Sequence, residues 1–275
     1  MINIRSEIFH YKKFKLHLVE GYVQKIPIIE YPCKIMIMDS GCRPDYRVVL
    51  EYVKKVMKRK LKDIKLVIAS HVHPDHAGGI SFLAKNLNAH TAAPAGINLW
   101  YKGLRGFLQH KMDLCLTHYV AYASNKPFKR LYFPRYIKTD YSLSHNEKIP
   151  FFEDWIVYYC PGHTTHDIVF YNSCENILYA ADLILKLKNR LFLPIPVNFP
   201  CLMKESIVFI DKICADDIFM AHGGMVSGSE LKKSVPMLER QADFLYEGKK
   251  RVLLMNKFTG FSDEMKKYNQ LCGKS

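Results

Sequence analysis

The sequence of 275 residues predicts an α/β layered sandwich, two sheets with helices outside them. Three observations lead there. Short apolar runs of strand type come in groups separated by stretches of helical periodicity, several of those runs end in turns loaded with His, Asp and Gly, and a hydrophobic share of 49% is enough for a substantial core.

The elements follow in order. FKLHLVEGYV (14–23), IPIIEY (26–31) and CKIMIMDSG (33–41) read as three strands with an antiparallel start, the last apolar enough to be central. PDYRVVLEYVKKVMKRKL (44–61) spaces Val48, Leu50, Val53, Val56, Met57 and Leu61 for an amphipathic helix after the turn GCRP. LVIAS (66–70) is a buried strand that runs straight into HVHPDHAGG (71–79). Later, WIVYYC (155–160), DIVFY (167–171), NILYAADL (176–183) and DDIFMAHGG (216–224) read as strands, and KESIVFIDKIC (204–214) as a helix.

Residues 97–150 stand apart. The first half predicts an amphipathic helix with Trp100, Leu104, Phe107, Leu108 and Met112 near one face, and the rest is aromatic and basic without a period. The segment is expected to be an insertion flanking the active site: a substrate lid, a dimer contact, a lipid or RNA surface, or an ordinary packed helix. The run LFLPIPVNFPCLM (191–203) either lines a greasy pocket or is a proline-stiffened loop on the core.

Composition sets limits. The first 17 residues carry charges every few positions and no apolar core of an export signal, and no run reaches the roughly 20 residues of a membrane helix. Eight cysteines without a C-x-x-C pair fit reduced, mostly buried thiols, so a cytoplasmic location is expected. A net charge of +14 favours anionic partners without naming one.

The chemistry concentrates in HVHPDH. Residues i and i+2 of extended chain point the same way, so His71 and His73 can grip one ion. Pro74 forces a turn, which sends Asp75 and His76 toward a second position, and Gly78 and Gly79 let the backbone pass close by. CPGHTTH adds His163, LYAADL adds Asp182 and FMAHGG adds His222. Together these supply two ions: His71, His73 and His163 on one, Asp75, His76 and His222 on the other, with Asp182 bridging. Nitrogen and carboxylate ligands without thiolate suit Zn²⁺, and also Mn²⁺ or Fe.

This ordered set, DSG (39–41), HVHPDH, GHT (162–164), Asp182 and HGG (222–224), resembles the metallo-β-lactamase-fold hydrolase superfamily over most of the chain. The resemblance implies a four-layer αββα sandwich with its metals in loops at one edge of the sheets, a single domain over 1–275 and a helical C-terminal tail at 230–275. It implies that Asp39 orients a ligand or the adjoining loop, and that His166 stands where the family often has Gly. It also implies a reaction in which a hydroxide between two cations attacks the substrate, with Asp75 as the catalytic carboxylate that accepts or relays the proton.

Asp at 182, where β-lactamases of the superfamily usually carry Cys or Ser, points away from antibiotic hydrolysis. Leu185 stands where acyl-homoserine lactonases place Tyr, and LILKLKNRLF lacks the glutathione-binding pattern of hydroxyacylglutathione hydrolases. AHGG differs from the HEAT-like ending of tRNA 3′-processing nucleases. The expectation is hydrolysis of an ester, thioester or lactone in a small acidic or acyl substrate, of the glyoxalase II or lactonase-like branch, with Lys186, Lys188 and Arg190 as anion contacts. A metal-dependent nuclease acting on nucleic acid and a mononuclear-iron sulfur dioxygenase are the alternatives, and a homodimer stays open.

Overall fold

The apolar runs near the N-terminus fold as the strands they predict, with one more before them. The computed structural model describes residues 4–251, in two units. The first holds the chain up to Ala95 together with His110–Leu143 and Pro150–Glu153. Its strands are β1 (Ser6–His10), β2 (Lys15–Glu20), β3 (Lys25–Glu30), β4 (Ile35–Met38), β5 (Ile64–Ile68), β6 (His90–Pro94) and β7 (Tyr141–Leu143). They form one seven-stranded sheet in chain order, antiparallel from β1 to β4 and parallel from β4 to β7.

Parallel neighbours need a crossover, and the helices α1 (Tyr46–Glu51) and α2 (Ile80–Leu87) supply two. Every residue of β4 is buried, the pattern of a strand covered on both faces. Large side chains buried this way contribute about 1.5–3 kcal/mol each. His17, buried on β2, meets the Tyr52 hydroxyl at 2.9 Å and Glu30 at 3.1 Å, a structural histidine.

The expected helix over 44–61 is regular only to Glu51, continues as a π-type turn through Val56, and ends where Lys58 takes φ +54°. Arg59 explains the stop. Its guanidinium bonds Glu30 at 3.1 Å, the Tyr31 carbonyl at 3.0 Å and Asp63 at 3.0 Å, which fastens the chain to the sheet before another turn can form.

The second unit holds Gly96–Gln109, Ser144–Ile149 and the described chain from Asp154. Its elements are β8 (Lys148–Ile149), β9 (Phe152–Tyr159), β10 (Ile168–Asn172), β11 (Ile177–Tyr179), β12 (Leu185–Leu187), β13 (Arg190–Phe192), α4 (Pro200–Ile213), β14 (Asp217–Met220), β15 (Gly224–Ser227) and α5 (Gly228–Arg251). Six strands pair in the order β15-β14-β11-β10-β9-β8, and β12 with β13 makes a separate hairpin. β9, begun in the first unit, pairs with β10 through Trp155–Tyr159. α3 (Gly103–Ala123) runs from the second unit into the first, so the expected insertion at 97–150 shares its residues between them.

Met203, Ile207 and Ile210 of α4 pack with Leu231 and Leu238 of α5 over Leu178 and Ile218. Leu191, Leu193, Val197 and Met203 belong to the same core, so the run 191–203, which leads from β13 into α4, packs mostly on the core, with Ile195 exposed and Pro200 and Cys201 at the edge of a cleft. The expected C-terminal tail is helical as far as Arg251, and 252–275 lie outside the described residues. The thiols depart from expectation: Cys42 and Cys160 are buried, whereas Cys33, Cys115, Cys174 and Cys214 are exposed. All four exposed ones sit in turns or on solvent-facing helix positions.

Asp45, fully buried after β4, has its carboxyl pushed from 3.8 to about 6 by burial, against the backbone N–H groups of Tyr22 and Cys42 that favour the charge. A raised acid holds its proton longer folded than unfolded, so its contribution is present below about pH 4 and lost as pH rises through 6. The shift is worth about 3 kcal/mol. Urea titrations across that window are expected to show wild type losing stability relative to Asp45→Asn, and parallel pH profiles would contradict this.

Candidate metal centre

β4 and β5 are parallel neighbours, so their carboxyl ends open at the same edge of the sheet, where open α/β sheets place their sites. Asp39 follows β4 and Ser70 follows β5. The Asp39 carboxylate accepts the Ser70 backbone N–H at 2.7 Å, the Ser70 hydroxyl at 2.8 Å and His76 Nδ1–H at 2.9 Å. Ser70 Oγ in turn stands 3.0 Å from His71 Nδ1 and accepts its proton. Two imidazoles are thus held by Nδ1, which leaves their Nε2 atoms for a ligand.

His71 Nε2 lies 3.0 Å from His73 Nδ1, close to the roughly 3.3 Å between two nitrogens on one tetrahedral zinc. His73 turns its other nitrogen toward Asp113 of α3, at 3.6 Å. His76 Nε2 faces Asp75 Oδ2 at 3.8 Å. Gly78 is required by the turn that does this: a Cβ there would sit 2.0 Å from the Pro74 carbonyl. The first unit therefore brings His71, His73, Asp75 and His76 to one edge, all but Asp75 buried.

The second unit gathers the remaining three. His163 precedes β10 and points its Nδ1–H at the Pro196 carbonyl, 2.8 Å away. Ala181 takes φ +46° after β11, which ends the strand early and turns the next side chain, Asp182, inward. Asp182 Oδ2 is 3.7 Å from His163 Nε2 and Asp182 Oδ1 is 3.6 Å from His222 Nε2. Each carboxylate oxygen addresses a different imidazole. His222 lies in the turn after β14, and Gly223 beyond it has φ +115° with a Cβ position 2.4 Å from the Lys186 carbonyl, a place only glycine fills.

Comparison with known proteins fits this site. The family model described as the metallo-beta-lactamase superfamily matches residues 29–218. This chain belongs to that superfamily. No curated protein matches it by sequence. Among solved structures it is similar to a metallo-beta-lactamase from Pontibacter korlensis, with 16% identity, TM-score 0.57, and 86% of this chain covering 99% of that one. It is similar to the mono-zinc form of the metallo-beta-lactamase FIM-1 from Pseudomonas aeruginosa, with 15% identity, TM-score 0.62, and coverage of 86% and 96%. An archaeal superfamily protein from Sulfolobus tokodaii matches with 15% identity, TM-score 0.57, and 85% of each chain. These likenesses show the fold.

The metallo-beta-lactamase superfamily is a metal-dependent hydrolase fold whose members bind divalent metals, usually zinc, and the expected α/β fold class with several sheets and helices is present. The His and Asp side chains of the motifs form groups able to hold a metal ion.

Other residues at the site escaped the motifs. Asp113 was hidden in the insertion, although it is the one acid between 97 and 139. Asp167, fully buried, accepts Thr164 N–H at 2.6 Å and the Thr164 hydroxyl at 2.5 Å, fixing the GHT turn; burial raises its carboxyl despite His163 nearby. Asn198 donates to the His163 carbonyl at 2.6 Å. His166 is buried edge-on against Trp100, with ring centroids 5.9 Å apart. Of the expected anion contacts, Lys186 pairs with Glu230 at 3.2 Å, while Lys188 and Arg190 are exposed on the β12–β13 hairpin.

Asp39→Asn would keep the left-handed backbone, φ +53°, but present an amide N–H₂ to two donors and force His76 to the other tautomer. Zinc affinity is expected to fall about 10- to 100-fold while the melting curve stays cooperative. Competition with a chromogenic chelator measures it, and unchanged affinity would mean that Asp39 does not set the ring.

Proposed function

We propose that this chain is a dinuclear-metal hydrolase that cleaves an ester, thioester or lactone bond of a small acidic or acyl substrate, in the glyoxalase II or lactonase-like branch, acting in the cytoplasm. His71, His73 and His163 would hold one ion, Asp75, His76 and His222 the other, and Asp182 would bridge. Zn²⁺ is the ion proposed, for its match to imidazole and carboxylate donors without thiolate. The observation that carries the reading is Asp182, whose two oxygens address the Nε2 atoms of His163 and His222 separately.

Bound divalent metals supply a water of lowered pKa and polarise the scissile bond. The chain's own groups do the rest. Asp39, directly and through Ser70, keeps the Nδ1 protons of His76 and His71 in place, and Pro196 does so for His163, so none of the three rings drifts to the wrong tautomer. Asp75, the least buried carboxylate at the site, accepts the proton released in the attack and passes it to the leaving group. Lys188 and Arg190 would meet the charge of an acidic substrate. Residues 97–150 form an insertion on a single-domain hydrolase, tied to the site through Asp113 and His73.

The net charge of +14 keeps a nuclease as the second reading, and steep salt dependence of binding to RNA would favour it. Elemental analysis with a screen of thioester, lactone, ester and phosphodiester substrates tests the proposal. His71→Ala and Asp182→Ala are expected to lower metal content and abolish hydrolysis; full metal and full activity in both would overturn the ligand set. Asp75→Asn should lower kcat about 10²- to 10⁴-fold, and a near-unchanged kcat would remove Asp75 from proton transfer.

A further inference from the structure

We propose that the outward face of α3, with the segment that follows it, docks on an anionic lipid surface. α3 is inverted relative to an ordinary surface helix. Its inward positions are Gly106, Gln109, His110, Asp113, Thr117 and Ala121, four of them polar and all buried. Its outward positions include Leu104, Leu108, Met112, Leu116, Tyr119 and Val120, all exposed, with Leu104 at 79% and Tyr119 at 66%. Tyr122, in the last turn of the helix, and Phe128, beyond it, are each 80% exposed. Contiguous exposed apolar surface of this kind marks a place that something covers.

The charge around that face selects the occupant. Residues 97–139 carry eight Lys or Arg against the single Asp113, which is buried; eight less one is +7, half of the chain's +14. An apolar ridge with rings at its end and cations beside it is the composition of an element that lies in a membrane interface, with its apolar face among acyl chains and its cations among anionic headgroups. A second copy would bring the same positive charge to the contact and be repelled. RNA would use the rings and cations but leave the Leu, Met and Val ridge wet. Among the described residues no helix is long and apolar enough to cross a membrane, so the contact is peripheral.

A cleft lined partly by the segment after α3, in the unit that holds His110–Leu143, strengthens the assignment. Lys129, Arg130 and Tyr132 line it with Arg43, Arg47 and Phe82, it encloses about 680 Å³, and no carboxylate lines it. The Arg43 guanidinium is held over the Phe82 ring at 4.7 Å and the Tyr132 ring at 4.9 Å, positioned without an acidic partner. Such a cleft takes a phosphate, here that of a lipid headgroup.

The test is co-flotation of the full chain with phosphatidylcholine vesicles made with or without phosphatidylglycerol. Binding is expected only with the anionic lipid. The triple substitution Leu116→Ser, Tyr119→Ser, Tyr122→Ser leaves the charge unchanged and should weaken binding roughly 10-fold or more. Phe128→Ser, outside the helix, should weaken it in the same direction and serves if the triple variant fails to fold. Arg47→Ala with Arg130→Ala should lower the preference for anionic vesicles. No flotation with anionic vesicles, or equal flotation of wild type and both Ser variants, would overturn the proposal. So would a dimer in lipid-free sedimentation that the Ser variants dissociate. None of these readouts depends on the hydrolase being active.

Discussion

A buried carboxylate beyond β4 holds together the histidine-rich turn of the first unit. Asp39 is fully buried and would be costly there without partners, since a desolvated charge must be hydrogen-bonded to be tolerated. It has three donors: the Ser70 amide, the Ser70 hydroxyl and His76 Nδ1–H. Those donors are in reach because β4 and β5 are parallel neighbours whose ends pair Met38 with Ile68, and the Asp39 amide is itself bonded to the Ile68 carbonyl at 2.7 Å. The left-handed turn at Asp39 then swings the carboxylate across the end of β5. Sheet order, turn conformation and imidazole tautomer are therefore one linked constraint.

Much of this was legible in the sequence because the signals were local. IMIM and KLVI are apolar enough to be central strands wherever they fall, and HVHPDH carries its own turn chemistry in Pro74 and the glycines. What was not legible depended on contacts far along the chain. β6, β8 and β15 are HTAAP, KI and GMVS, too short or too polar to read as strands without the neighbours that pair with them. The helix after β4 was expected to run past its true end because the pull of Arg59 toward Glu30 and Tyr31 cannot be read from periodicity. Asp182 was expected near the end of a strand over 176–183, yet the strand stops at Tyr179 because of the dihedral at Ala181, which an alanine gives no reason to expect.

Asp113 shows a different limit. Periodicity assigns the apolar stripe of an amphipathic helix to the interior, and in α3 that assignment fails. The polar residues face in because they have partners there: His110 Nε2 donates to the Phe133 carbonyl at 2.9 Å, Asp113 approaches His73, and Thr117 bonds the Asp113 carbonyl at 2.9 Å. Burial of these groups is tolerable because each finds a hydrogen bond or an opposite dipole, and their presence inside displaces the apolar stripe to the surface. The carboxylate beside His73 and the exposed apolar ridge are two consequences of the same rotation of one helix.

The hydrogen bonds also state what kind of group completes the centre. His163 gives its Nδ1 proton to a carbonyl, so its Nε2 presents a lone pair, and the nearest carboxylate oxygen, on Asp182, is another acceptor 3.7 Å away. His76 gives its Nδ1 proton to Asp39, and its Nε2 lone pair faces Asp75 Oδ2 at 3.8 Å. Neither separation is a hydrogen bond, and neutral imidazole and carboxylate oxygen in this arrangement repel. A divalent cation at each place would relieve it, with a positive charge that the lone pair and the carboxylate oxygen can share. Donors fixed on the far side of each ring thus leave the Nε2 atoms of His76 and His163 facing carboxylate oxygens, in groups able to hold a metal ion.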